Sequence, residues 1–298
     1  MIEVKNLNKS FDGFAALTDA SFTVPAGSVT GLVGPNGAGK TTVLNHIAGI
    51  YRADSGTVNV GGQAVYENRE TKRNLVFIPD DVYVPGGMNA LEMGKYYAGL
   101  YPSFDKETFD RLAKYFPAID VKKNILRMSR GMRKQAAFLL AISARPEVLL
   151  LDEPVDGLDP ITRKTVWGLL MNEVAERNMT VLVSSHNLRE LEDVCDRVII
   201  MNKGKILLES GVDELQNGIM KIQLAYDGEA PEFTLPGIMS KRVSGRVTEM
   251  IIRGDENGII SELEKTSPLF IEKLNMSLEE IFINEVGGDD DEFKKILV

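Results

Sequence analysis

Cysteine is almost missing from this chain. Cys195 is the only one in 298 residues, which excludes an internal disulfide and fits a reducing compartment such as the cytosol. Long apolar runs are missing as well: no window approaches the roughly eighteen residues that a membrane-spanning helix needs. The opening residues, MIEVKNLNKSF, hold no apolar stretch followed by a cleavage site, so the sequence predicts no signal peptide. Any association with a membrane is then expected to run through a partner. Basic charge is in deficit, with 34 Lys and Arg against 43 Asp and Glu and a formal net charge of −9. The deficit is not spread evenly. Residues 211–298 carry 9 basic and 18 acidic side chains, which leaves 25 of each for residues 1–210. Nucleic-acid binding rests on Lys and Arg neutralising phosphates, so a neutral body with an acidic end argues against it. Internal repeats and low-complexity segments are absent too.

What is present is an ordinary globular composition, 44% hydrophobic and 26% charged, long enough for one large core and a smaller satellite. Short strand-like runs come first: IEVKNL, ASFTV, GSVTGLV and GTVNV. Continuous apolar runs follow, LVFI (75–78), VLLL (148–151), TVLVSS (180–185) and RVIIM (197–201), of the kind expected when both faces of a parallel sheet are covered. Helical patterns lie between them; Val166, Leu169, Leu170 and Val174 share one face of TRKTVWGLLMNEVAERN. This alternation predicts an α/β fold with a mainly parallel sheet, and the strand-rich start predicts an attached antiparallel β subdomain. Residues 86–127 read as two helices divided by Pro102, the second stopping before Pro117. Seven aromatics fall in this lobe (Tyr96, Tyr97, Tyr101, Phe104, Phe109, Tyr115, Phe116). Packing is expected to absorb most of them, with the remainder available to anchor a partner. Beyond residue 210, IMKIQLAY, MSKRVS, VTEMIIR and PLFIEKL read as strands and NGIISELEK as a helix. SLEEIFINEV starts with Ser277 and Glu280 spaced as a capping box. GGDDDEFKKILV reads as a loose tail.

The chemistry concentrates at strand ends. Gly34-Pro35-Asn36-Gly37-Ala38-Gly39-Lys40-Thr41 follows the apolar run Val29–Val33 and completes G-x-x-x-x-G-K-T. In this pattern glycines turn backbone N–H groups toward phosphates, Lys40 reaches the β- and γ-phosphates, and the Thr41 hydroxyl is placed for Mg²⁺. Asp152 ends the buried run VLLLD and is suited to hold Mg²⁺; Glu153 follows and could polarise an attacking water as a general base. His186 ends TVLVSSH and is one of only two histidines. On the same edge it could bond a γ-phosphate or orient water. The other, His46, is read as packing. Ser129-Arg130-Gly131 opens a second helix with the small, hydrogen-bonding residues that suit an anion, about ninety residues after the first phosphate loop.

Taken in order, these residues closely resemble the ATP-binding subunits of ABC transporters, over roughly residues 1–211. GPNGAGKTT, through Thr42, resembles the Walker A loop. VLLLDEP resembles the Walker B strand with its catalytic glutamate, VDGLDP the D-loop around Asp159, and SSH the switch histidine. MSRGM (128–132) resembles the signature Leu-Ser-Gly-Gly-Gln, keeping Ser129 and Gly131. Phe11 stands where the family stacks an aromatic on adenine, and Asp54-Ser55-Gly56 sits where its β subdomain expects it. Three positions depart from the pattern. Arg130 and Met132 replace Gly and Gln in the signature, and Asp80, after FIP, replaces the glutamine of the Q-loop. A shorter carboxylate there could still contact Mg²⁺ or its water.

The resemblance implies a P-loop ABC ATPase domain over residues 1–210 with a helical subdomain over 86–145. A small α+β extension over 211–286, similar to that of drug- and antibiotic-export ATPases, and an acidic tail over 287–298 would complete the chain. It implies a head-to-tail dimer, of identical or different cassettes, binding two ATP and Mg²⁺. Each phosphate loop would face the partner's signature. The dimer would drive a separate transmembrane subunit, most simply of an exporter, from the inner face of the membrane. A soluble ABC-type ATPase with a non-transport role is the alternative, and a regulatory subunit with degraded hydrolysis a third reading.

Overall fold

The structure, a computed structural model, describes residues 1–228 and 230–286. The expected acidic tail, 287–298, lies outside the described residues. Among the described residues the chain divides into two compact units, residues 1–187 with 193–209, and residues 188–192 with 210–228 and 230–286.

The first unit is built on two sheets. Strands β1 (Ile2–Phe11), β2 (Phe14–Val24), β4 (Ser55–Val60) and β5 (Gln63–Ala64) form an antiparallel sheet in the order β2-β1-β4-β5. The β1–β2 turn is Asp12-Gly13, both at positive φ, the geometry that matches the twist of a two-residue hairpin. It places Phe11 opposite Phe14. The sequence runs anticipated only the second half of β2. Its first half is broken by register shifts, with Asp19 at φ 52°, which hides the alternation.

The second sheet holds β3 (Val29–Val33), β6 (Leu75–Ile78), β7 (Val148–Asp152), β8 (Thr180–Ser185), β9 (Arg197–Asn202) and β10 (Lys205–Gly211), in the order β10-β9-β3-β8-β7-β6. Pairing from β9 through β3, β8 and β7 to β6 is parallel. Every residue of β3, β7 and β8 is buried, as continuous apolar runs require. Because the strands are parallel and adjacent, the ends of β3, β6, β7 and β8 open on one edge, where ligands of α/β sheets bind. β10 returns through Lys203-Gly204, both at positive φ.

Helices α1 (Lys40–Ile47), α2 (Arg69–Arg73), α3 (Ala90–Leu100), α4 (Lys106–Leu112), α5 (Arg130–Ser143) and α6 (Pro160–Arg177) complete this unit. In the lobe after β6, α3 is started by a capping box: Asn89 Oδ1 accepts from the N–H of Glu92, and Glu92 Oε2 accepts from that of Asn89. Phe109 and Phe116 are core there; Tyr96 and Tyr115 remain exposed. On α6 the buried face is Val166, Trp167 and Leu170, so Trp167 takes the place expected for Leu169 and Val174.

In the second unit, β11 (Ile219–Ala225), β12 (Ile238–Ser244), β13 (Val247–Arg253) and β14 (Phe270–Leu274) form an antiparallel sheet, β12-β13-β11-β14. Helices α7 (Val212–Gln216), α8 (Glu256–Glu264) and α9 (Leu278–Val286) accompany it. Ile259 and Leu263 of α8 close a core with Met220, Ile222, Leu224 and Met250. Ser277 and Glu280 form the expected capping box. Residues 188–192 belong here: Arg189 pairs with Glu279 at 2.6 Å, and Glu192 accepts the N–H of Leu278.

Candidate functional site: a phosphate loop at the edge of the parallel sheet

The loop between β3 and α1 is shaped by glycines, and at Gly34 and Gly39 nothing larger fits. A Cβ on Gly34 would lie 2.1 Å from the backbone oxygen of Met201, and Gly39 caps α1 at φ 107°. The loop residues Asn36 to Thr42 line a cavity of about 420 Å³ together with Phe11, Phe14, Ala16, Asp80, Asp152 and Glu153. Lys40 is 6% exposed and folds back over its own loop, donating to the carbonyls of Gly34 at 2.7 Å and Pro35 at 3.3 Å. Its Nζ is also 3.5 Å from Glu153 Oε1.

The end of β7 meets this loop. Thr41 Oγ1 donates to Asp152 Oδ2 at 2.7 Å, and the Ser184 hydroxyl donates to Oδ1. Glu153, the next residue, leaves the strand at φ 46°, a left-handed conformation unusual for a non-glycine residue. Four residues hold it there. Its N–H donates to the backbone oxygen and hydroxyl of Ser184 at 3.2 Å, and its carbonyl accepts from Lys134 Nζ at 2.6 Å. Its Oε2 lies 2.8 Å from His186 Nδ1, and Oε1 is the oxygen near Lys40. With Glu153 as the acceptor, His186 Nδ1 is the protonated ring nitrogen.

Asp80 follows β6 and faces the same cavity, but its oxygens are in use. Arg130 Nη2 donates to Oδ1 and Oδ2 at 2.7 and 2.9 Å, and Lys134 Nζ to Oδ1 at 3.0 Å. Burial pushes the Asp80 carboxyl up, but Lys134 and Arg130 outweigh it and hold the group below the usual carboxylate range.

Phe11 is 39% exposed at the mouth, edge-on to Tyr51 with ring centroids 5.5 Å apart. His46 is buried and accepted by the carbonyl of Thr42, as packing requires. Ser129, Gly131, Asp159 and His186 are not among the residues lining this cavity, although His186 reaches it through Glu153. Ser129 caps α5, accepting from the N–H of Met132, and Asp159 caps α6 through the N–H groups of Ile161 and Thr162. Gly131 lets the loop before α6 pass closely: a Cβ there would lie 3.0 Å from the oxygen of Gly157. Sequence reasoning missed Phe14, Ser184 and Lys134. Phe14 had a signal in the Asp-Gly turn opposite Phe11; the other two touch the site only through tertiary contacts.

Residues 17–156 match the model of the family described as ABC transporter. The chain is 34% identical to the ABC transporter ATP-binding protein YtrB of Bacillus subtilis over 292 residues, 97% of this chain and 99% of the relative. It belongs to the ATP-binding subunits of ABC transporters. The Nod factor export ATP-binding protein I of Rhizobium johnstonii is 29% identical, covering 97% of this chain and 95% of its own length. A solved dimeric ATP-binding cassette bound to ADP and Pi superposes with a TM-score of 0.63 over 71% of this chain and 99% of that one. At 22% identity that likeness shows the fold. The ABC subunit is thus an ATPase, binding and hydrolysing ATP to power a transporter with a separate transmembrane subunit. The non-transport reading is set aside. No helix among the described residues is long and apolar enough to cross a membrane.

Proposed function

We propose that this ABC subunit powers export as one half of a head-to-tail dimer of cassettes, seated on the inner face of the membrane through its transmembrane partner. The observation that carries the dimer is the division of the phosphate chemistry. Lys40, Thr41, Asp152, Glu153 and His186 converge at one sheet edge, while Ser129 and Gly131 sit at a second helix start outside that cavity. A γ-phosphate held by one chain's Lys40 and covered by the other's Ser129 and Gly131 N–H gives both ends a use. The relative named for Nod factor export and the solved dimer with ADP and Pi support this reading. Within exporters, the SLEEIF start of α9 favours the drug- and antibiotic-type branch.

Phe11 takes the adenine. Residues Gly34 to Thr42 wrap the phosphates, Lys40 exchanging the carbonyls of Gly34 and Pro35 for phosphate oxygens. Thr41 Oγ1 and the Asp152 carboxylate offer two hard oxygen donors side by side, a set that fits Mg²⁺ when phosphate oxygens and water complete the shell. Among the described residues no cluster of three or more His, Cys, Asp or Glu could hold a metal without that help. Held by these two residues, Mg²⁺ would supply charge neutralisation to the phosphates. Glu153 takes the proton of the attacking water, and His186 Nδ1–H fixes the carboxylate for that transfer. Asp159 shapes the D-loop by capping the helix that follows it.

Glu153→Gln tests the assignment of the base. The variant is expected to bind ATP, to lose phosphate release by about 10²–10⁴-fold, and to form an ATP-dependent dimer visible by light scattering. Full turnover would reject Glu153 as the base.

A further inference from the structure

Two cations of one helix hold two loops of the site. Arg130 and Lys134 stand one turn apart on α5, so they share a face. Both reach Asp80 beyond β6, and Lys134 alone reaches on to the backbone of Glu153 beyond β7. Lys134 is 1% exposed, and burying an ammonium is costly unless a countercharge and hydrogen-bond acceptors accompany it. Asp80 supplies the countercharge and Glu153 O an acceptor. Arg130, half exposed, closes the cluster by lying 3.2 Å from Asp156 Oδ2 as well.

The recipient of this arrangement is a strained residue. Glu153 sits at φ 46° and keeps that conformation only where its surroundings over-determine it. Ser184 fixes its N–H side; on its carbonyl side Lys134 donates at 2.6 Å, beside a longer bond at 3.4 Å from the N–H of Asp156. We propose that Asp80 and Lys134 are a positioning pair for Glu153: Asp80 anchors the buried ammonium, and the ammonium sets the backbone from which the carboxylate reaches water. This rests on the reading of Glu153 as the base. It gives Asp80 a different task from contact with Mg²⁺, since its two oxygens already serve Arg130 and Lys134. It also accounts together for two departures from the family pattern, Asp80 and Arg130, because each is the other's partner at 2.7 Å.

The test compares the full chain with Asp80→Asn, Lys134→Gln and the double variant Asp80→Asn/Lys134→Gln. Steady-state phosphate release is measured across ATP and Mg²⁺ concentrations, with thermal unfolding to confirm folding and Glu153→Gln as the control. Misplacing a reacting group by about an ångström costs up to roughly 10²-fold in rate. Each single variant is therefore expected to lower kcat by about tenfold or more, with the KM for ATP and the Mg²⁺ half-saturation unchanged. The double variant, with a neutral amide on both sides of the pair, is expected to regain kcat beyond either single variant. A raised Mg²⁺ half-saturation in Asp80→Asn with normal kcat at saturating Mg²⁺ would overturn the proposal in favour of a metal contact. So would a double variant no better than the worse single one in folded protein. If Lys134→Gln does not fold, Asp80→Asn decides on the same kcat and Mg²⁺ criteria. An active Glu153→Gln control would reject the base itself and leave the failure there.

Discussion

At Gly34 the decisive atom is the one that is missing. A side chain there would press on the backbone oxygen of Met201, which β9 holds in place, whereas a Cβ on Gly37 would meet nothing within 4 Å. Gly34→Ala is thus expected to lower stability by about 1–3 kcal/mol through overpacking and to weaken ATP binding as the loop moves. Gly37→Ala meets only the backbone cost of φ 81°. Thermal unfolding of the two variants separates these causes; an equal fall in both would deny the role of Met201. At this scale the phosphate loop, Asp152 and Glu153 are legible because their chemistry follows the chain locally. Lys134 and Ser184 are not. One is a lysine on an ordinary-looking helix, the other a serine inside an apolar strand, and each acquires its task from a residue 19 or 31 positions away. Asp80 shows the limit from the other side: its position after FIP points to the cavity, but its partners are 50 and 54 residues distant.

Among elements, the parallel strands were the most legible. LVFI, VLLL, TVLVSS and RVIIM have helices or sheet on both faces, so burial erases alternation and leaves continuous apolar runs. The strands with bulges were less legible. Asn6 and Asp19 at positive φ interrupt the period of β1 and β2, and β5 has only two residues. The five-residue α2, capped by Asn68, is too short to show a periodic face. Helix starts carry their own signal, and α3 provides the test. Asn89→Ala removes half of its capping box and is expected to cost about 1 kcal/mol, read as a lower urea midpoint with an unchanged slope. No change in midpoint would mean that α3 is held by packing alone.

For the whole molecule, the two units carry different kinds of information. The solved cassette matches 71% of the chain, while the YtrB relative spans 97% and so includes the second unit. The excess acidity of residues 211–298 belongs to that second part and leaves the cassette neutral. The cassette's own features point outward. One chain supplies the phosphate loop with the proposed Mg²⁺ donors, base and histidine, and a second helix start at Ser129 that does not line its own cavity. The central claim is that one chain is half of an enzyme. Its most direct test mixes Lys40→Ala and Ser129→Arg chains, each inactive alone, and measures phosphate release. The account predicts recovered turnover, because one of the two composite sites in a mixed dimer keeps an intact Lys40 and an intact Ser129. No recovery in a dimer shown to contain both chains would contradict it.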